Sequence, residues 1–413
     1  MTSVHRRRCL AFLSLALLTP AALAAPNATP WWQQARAQLQ QHPSWQAQRA
    51  SYASAQASAE QAALPRFNPE LEGEWQRSRG QRNYQVGLNQ ELDLWDSRQA
   101  YQQQAQQQAE ASQALSSWQQ LQHWVQALSS EANWQAARQH QQLAEQQQMR
   151  LLQLQQLIQR RQQQGDVGQL DAELAFLSLS QQRLTLAQSR QQQLQAEQQR
   201  RWWFGQLDAA PEQAWQQLQQ TQPTFELEQH PQLQMAKASW QAQQTNALAA
   251  KRDRRARPTL GVTLGREDQQ TVSGLNLSIP LNVRNDYAPE QRALQQQALA
   301  LEADYRAQRR LLQQQWQQAQ QNWRNFDQQW QQWRQHSQHR LTQTAELLHQ
   351  RWQQGDLSSA DYLRSLNQLA ASEQAGIELQ RQARLANLQR WLSAGQLPTF
   401  ALPATTVETH HAS

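Results

Sequence analysis

The chain contains one unit twice, and this duplication constrains its fold more than any local motif. Arg161-Gln-Gln-Gln-Gly165-Asp166 returns as Arg351-Trp-Gln-Gln-Gly355-Asp356, and Gly205-Gln206-Leu207 returns as Gly395-Gln396-Leu397, both 190 residues later. At an offset of 188, His42-Pro43 meets His230-Pro231, and near 187 Gly87-Leu88-Asn89 meets Gly274-Leu275-Asn276. A period this long is not that of a solenoid; it marks a duplication whose halves build one structure together.

Each unit runs through the same patterns. A helical stretch (31–64, then 227–257) leads to two alternating segments, a very long helix (97–164, then 288–354), a Gly-Asp break and a shorter helix (168–204, then 358–394). At 1.5 Å per residue a long helix reaches about 100 Å and each flanking helix about half of that. Two half-length helices stacked end to end match one long one. The Gly-Asp breaks are therefore hairpin tips at the end remote from the alternating segments. The boundaries read as a leader over 1–24, a first repeat over 25–207 with its hairpin at 69–94 and tip at 164–168, a connecting segment over 208–224, a second repeat over 225–397 with its hairpin at 258–281 and tip at 354–358, and a tail over 398–413.

Composition matters here because about 90 of the 413 residues are glutamine, far above ordinary usage. Such bias can signal disorder, yet the tracts are punctuated at heptad spacing by Trp316, Ala319, Trp323, Phe326, Trp330 and Trp333, and by Trp118, Leu121, Val125 and Leu128. Large residues at that spacing form coiled-coil seams, and glutamine is a good helix former. The tryptophans read as core knobs, since no polar group recurs beside them at a fixed spacing.

The alternating segments have period two. Leu71 and Trp75 alternate with Glu70, Glu72 and Glu74, and Leu260, Val262 and Leu264 alternate with Thr259, Gly261 and Thr263. Each is nine to eleven residues long, enough for a tilted strand to cross a bilayer; a hairpin with one wet face would alternate in the same way. Four strands cannot curl into a barrel, and open edges in lipid leave backbone groups unpaired. A spanning role therefore requires several copies of the chain.

Arg6, Arg7 and Arg8 precede the apolar run Leu10 to Leu18, and Ala22-Leu23-Ala24 offers a cleavage site, together a secretory leader that also carries the only cysteine, Cys9. Loss of the three arginines takes the formal net charge from +6 to +3. The remaining arginines are interspersed with acids, so no nucleic-acid stripe emerges. After the leader no apolar run approaches the length of a helical membrane span. No Ser/His/Asp arrangement, phosphate loop or metal-ligand spacing suggests an enzyme, a metal site or a cofactor; His336 and His339, one helical turn apart, read as solvated.

Taken together, the leader, the duplicated units, Asn68-Pro69-Glu70-Leu71 at the first strand, Gly274-Leu275-Asn276-Leu277-Ser278-Ile279-Pro280-Leu281 at the fourth and a glycine turn at each tip resemble the TolC-type outer-membrane efflux channels. Within that family, Asn-Pro-Glu-Leu and the hairpin from Arg257-Pro258 to Pro280-Leu281 are most similar to the branch partnering heavy-metal RND pumps. The chain departs from it in Arg284-Asn285-Asp286-Tyr287-Ala288-Pro289, where an Asn-Arg-Asn followed by glycine is usual, and in lacking a lipid-anchoring cysteine.

The resemblance implies a mainly α fold with a small β part. Duplicated coiled-coil hairpins would form a periplasmic tunnel, and four strands per protomer would contribute to a twelve-stranded barrel of a homotrimer in outer-membrane lipid. The partners would be a periplasmic adaptor and an inner-membrane RND-type transporter, and the cargo could include metal cations. Two other readings are an exit duct for type I secretion and a soluble periplasmic coiled-coil scaffold or adaptor. Gly165, Asp166, Val167, Gly355, Asp356 and Leu357 would be presented to the adaptor. Glu70, Glu72 and Glu74 would face the barrel lumen, and Asp361 with Arg364 would stand at the periplasmic aperture, where the family often has two acids. The run Lys251 to Arg257 either meets the carbonyls ending its helix or contacts lipid headgroups.

Overall fold

The structure is a computed structural model that describes residues 30–78, 81–165, 168–267, 270–281, 284–285 and 287–401. The leader, Asp166, Val167 and most of the C-terminal tail lie outside the described residues. Helices α1 (Pro30–Gln41) and α2 (Pro43–Ala63) lead into strands β1 (Glu70–Ser78) and β2 (Gln81–Glu91), followed by α3 (Ser97–Gln163) and α4 (Gln169–Phe204). A short α5 (Glu212–Gln220) connects to α6 (Pro231–Asp253), β3 (Thr259–Glu267), β4 (Gln270–Ser278), α7 (Ala288–His336), α8 (Gln338–Gln354) and α9 (Ser359–Ala394).

The histidine-proline pairs set where helices start. Proline disfavours helical backbone in the residue before it, and His42 and His230 are both extended, with ψ of 136° and 125°. Each then caps the helix it precedes: His42 Nδ1 accepts the Ser44 N–H at 3.3 Å and His230 Nδ1 accepts the Gln232 N–H at 3.2 Å. The stretch 31–64, expected as one helix, is therefore two. The second expected stretch, 227–257, is likewise a 3-10 turn at Leu227–Gln229 followed by α6.

The helices form a layer. Close to the sheet, α2 packs on α3, α3 on α6 and α6 on α7; beyond the midpoint, α4 packs on α3, α3 on α9, and α9 on α7 and α8. The sheet order β1-β2-β3-β4 follows the helix order, so each strand prolongs a helix rod. The layer has two free borders, β1 with α2 and α4 on one side and β4 with α7 and α8 on the other.

The main core lies midway along α3. Trp31, Trp32, Trp45, Leu121, Trp124, Leu128, Phe204, Trp215, Leu218, Leu388 and Trp391 are buried together there. Within it Glu131, fully buried, pairs with Arg200 and accepts the Ala210 N–H at 2.8 Å. Gln135 donates to the Ala210 carbonyl and accepts from Arg384, which also pairs with Glu212. This network fastens α5, in what the sequence reads as a connecting segment, to α3, α4 and α9. Burial pushes the Arg384 guanidinium below its ordinary value despite Glu212 and Glu131.

Two further differences from the sequence reading have physical causes. The second long helix is interrupted at Ser337, yet Ser337 N–H still donates to the Trp333 carbonyl and Leu341 N–H to the Ser337 carbonyl, so the rod continues through one irregular residue. The α7 tryptophans are half-buried, because α7 borders the layer and is covered on one side. Trp333 seats against Gly376, where an added Cβ would meet its ring at 2.1 Å, and Trp316 stacks on Phe225.

At the C-terminal end of α9, Gly395, at φ 73°, lets the chain approach His230; a Cβ there would lie 2.6 Å from the ring. His230 is 1% exposed, and burial lowers its pKa to about 4. Because Nδ1 must stay unprotonated to cap α6, acid opposes this junction. The folded pKa lies below the unfolded one, so the stability is present above about pH 6.5 and is lost as pH falls towards 4. Thermal melts should therefore show a loss of at most about 2 kcal/mol between pH 8 and pH 5 from this group. In His230→Asn, which keeps a cap acceptor, that part of the pH dependence should disappear; an unchanged pH profile would contradict the assignment.

Candidate functional site

The sheet separates two chemistries. All three pairings are antiparallel, and their register places Leu71, Leu88, Val262 and Leu275 in one row and Glu70, Asn89, Gly261 and Asn276 in the adjacent row. Partners in a register share a face, so one face carries Leu71, Trp75, Tyr84, Val86, Leu88, Leu260, Val262, Leu264, Leu275 and Leu277. All are exposed, Leu71 at 78% and Leu275 at 81%. Glu70, Glu72 and Glu74 stand on the opposite face, as the alternation predicts.

That opposite face is polar and rich in glycine. Asn89 Nδ2 donates to Glu72 Oε2 at 3.0 Å, and Asn276 Nδ2 donates to Asn89 Oδ1 at 3.4 Å. This row crosses the backbone of Gly261, where a Cβ would lie 1.8 Å from Asn276 Oδ1 and 2.1 Å from Asn89 Oδ1. Sequence reasoning named the carboxylates and missed both asparagines. The row joins β1 to β4 through residues 187 positions apart, and only the register reveals it.

At the far end the two tips meet. Gly165 and Gly355 have φ of 84° and 85°, the left-handed conformation that ends a helix with least strain in glycine. Arg161 donates to the Gln353 carbonyl at 3.0 Å and lies over Trp352, which stacks on Tyr362 at 4.9 Å. These residues sit on a second core of Leu151, Leu154, Ile158, Ala175, Leu179 and Leu363. Asp356 is exposed, whereas Leu357 is half-buried against this core and helps to hold the tip together. Among the described residues the most exposed apolar one beside the tips is Leu170, at 73%.

Just past the second tip, Ser358 Oγ accepts the Asp361 N–H at 3.1 Å and donates to Asp361 Oδ2 at 2.8 Å. Arg364 Nη1 donates to Asp361 Oδ1 at 3.1 Å, and both side chains are more than half exposed. Asp361 thus belongs to an N-cap box and to an i,i+3 ion pair at once. His336 and His339 are exposed on the helix ends flanking Ser337, and among the described residues no group of three or more His, Cys, Asp or Glu could hold a metal ion.

The glycines of the sheet offer a paired test. Gly261→Val should force Asn89 and Asn276 apart and lower the melting temperature of the purified protein by the several degrees expected for overpacking of about 1–3 kcal/mol. Gly73→Val, where nothing lies within 4 Å, should leave it nearly unchanged. Equal effects would show that the polar row is not close-packed.

No family model and no curated protein sequence matches the chain. Solved structures do. CusC, described as forming a transmembrane channel, is 15% identical and superposes with a TM-score of 0.73 over 88% of this chain and 92% of its own. The outer membrane protein VceC from Vibrio cholerae is 16% identical, with a TM-score of 0.72 over 88% and 95% of the two chains. The outer membrane channel CmeC from Campylobacter jejuni is 12% identical, with a TM-score of 0.74 over 88% and 85%. At such low identity the agreement establishes architecture, and over nearly its whole length this chain has the mainly helical fold of those outer-membrane channels, with its small four-stranded sheet.

Proposed function

We propose that the chain is the outer-membrane channel-tunnel of a tripartite efflux system, a passive duct with no catalytic role. The observation that carries this reading is the sheet: one exposed face dominated by large apolar side chains, with Ser273 and, towards the hairpin turns, Arg77, Arg82 and Arg266 among them, one polar face and two edges unpaired within the chain, on the fold of outer-membrane channels. A soluble scaffold would leave an apolar surface of this extent in water, which monomeric soluble proteins avoid. In lipid the same face is satisfied, and the edges are satisfied when β4 of one copy pairs with β1 of the next.

The helices support the same closure. On α4, at the border below β1, Leu170, Leu177 and Leu184 recur every seven residues and are 73%, 60% and 60% exposed. A seven-residue apolar stripe fits a partner helix, and the partner on this reading is α8, with the adjoining end of α7, of the next copy. Three copies supply twelve strands, with Glu70, Glu72 and Glu74 repeated three times around the lumen, where they would favour cations by local potential. The sheet lies in the outer membrane and the helices extend through the periplasm. The tips, with Gly165, Asp166, Val167, Gly355, Asp356 and Leu357, meet a periplasmic adaptor served by an inner-membrane RND-type transporter.

Asn68-Pro69-Glu70-Leu71 favours the branch that partners heavy-metal pumps, with metal cations among the cargo. The structural matches have nearly equal TM-scores and select no branch.

At the aperture, the ion pair leaves each copy with a compensated charge in place of two acids. Purified protein in planar bilayers should conduct, with weak block by trivalent cations added on the tip side. Arg364→Asp should increase that block at least several-fold, and Asp361→Ala in that background should abolish the gain. Absence of any conductance would remove the duct reading. Equal block in the native protein and Arg364→Asp would remove these two residues from the aperture and leave the duct standing.

A further inference from the structure

The junction between helices and sheet carries an unusual density of arginine. Lys251, Arg252, Arg254, Arg255 and Arg257 surround a single acid, Asp253, at the end of α6, and Arg66 approaches from the end of α2. Asp253 is already engaged. Arg66 Nη1 donates to both its oxygens at 2.9 and 3.0 Å, the Tyr101 hydroxyl donates at 2.5 Å, and Arg257 stands at 3.7 Å. Arg257 also pairs with Glu91 at 3.1 Å, and Asp93 accepts the Ser97 and Arg98 N–H groups that begin α3. Arg252 donates to the Asp96 carbonyl, and Arg254 donates to Gln291 Oε1 at 2.6 Å.

Lys251 and Arg255 are exposed, and no carboxylate pairs with either among the described residues. The Arg255 guanidinium is held in place: it lies over the Trp95 ring at 4.7 Å, and the Trp95 indole N–H donates to the Ala256 carbonyl at 2.9 Å. An indole fixed by its own hydrogen bond sets the plane of the guanidinium and leaves its N–H edge open for an anion.

What lies beside this edge identifies the anion. Leu260 follows Arg255 by five residues, within about 17 Å of extended chain, and pairs with Leu277 as the rung of the apolar face nearest the junction. Both are exposed, at 47% and 64%, and Leu94, Ile279 and Leu281 are exposed at the same level of the chain. A ligand that satisfies both parts needs a negative headgroup and a hydrocarbon tail. We infer that Lys251 and the Trp95-supported Arg255 bind the phosphate of an anionic phospholipid in the leaflet on the helix side of the sheet, its acyl chains lying on Leu260 and Leu277. The inference rests on the membrane reading above and adds a lipid preference to it.

Full-length protein purified in detergent should be offered equal amounts of phosphatidylglycerol and phosphatidylcholine with the same acyl chains, and the retained lipid counted by native mass spectrometry. Phosphatidylglycerol should be retained about tenfold or more over phosphatidylcholine, the scale of two basic side chains near an anionic headgroup. Lys251→Gln with Arg255→Gln should remove most of that preference, and Trp95→Leu should reduce it. Both cations are exposed, so the double variant should keep its particle mass and melting temperature. Equal retention of the two lipids, or an unchanged preference in the double variant, would overturn the site. Insertion into vesicles of phosphatidylcholine alone separates this failure from a larger one: protein that inserts without a lipid preference overturns only the site, whereas protein that inserts into no vesicle overturns the membrane reading as well.

Discussion

An unpaired backbone group in hydrocarbon costs several kcal/mol, and on the proposed membrane reading β1 and β4 present two strand edges of such groups. The proposed assembly depends on how those edges are satisfied. The sheet cannot close on itself with four strands, its apolar face excludes water as a stable solvent, and the edge strands β1 and β4 continue into helix borders that are also uncovered. On the proposed reading a single copy is therefore an incomplete structure, with one border made for the other.

The helical layer makes this closure possible because its order matches that of the sheet. The His-Pro starts of α2 and α6, the glycine ends of α4 and α9 and the buried Glu131–Arg200 pair all lie near the midpoint of α3, where the shorter helices, α1 and α5 included, meet the long rods. Removing one partner of such a buried pair is costly, about 3–5 kcal/mol, because the other charge is stranded. The midpoint is thus the rigid girdle, while the tips are held by a smaller core around Trp352 and Tyr362.

Much of this was legible in the sequence because its signals are periodic. Period two located all four strands and assigned Glu70, Glu72 and Glu74 to the face opposite Leu71; heptads located the long helices; repeated glycines located both turns. What escaped has no local signature. The Asn89–Asn276 contact depends on strand register across 187 residues. The helical character of Glu212–Gln220 is hidden in a short segment between longer patterns, and its place is set by Gln135 and Arg384. Proline at 43 was visible, and its effect on His42 is the general one, yet the apolar pattern on either side disguised the break. Leu357 reads as a docking residue from its place in the tip motif, and the motif alone does not show that its side chain is also half-buried against the core beneath the tip.

Closure by copies is the central claim, and the mass of the detergent-extracted particle tests it most directly. Native mass spectrometry should give a particle of three chains with no populated monomer, because each free edge needs a partner. A monodisperse single chain that still conducts in bilayers would contradict the account, since four strands would then be spanning lipid with both edges open.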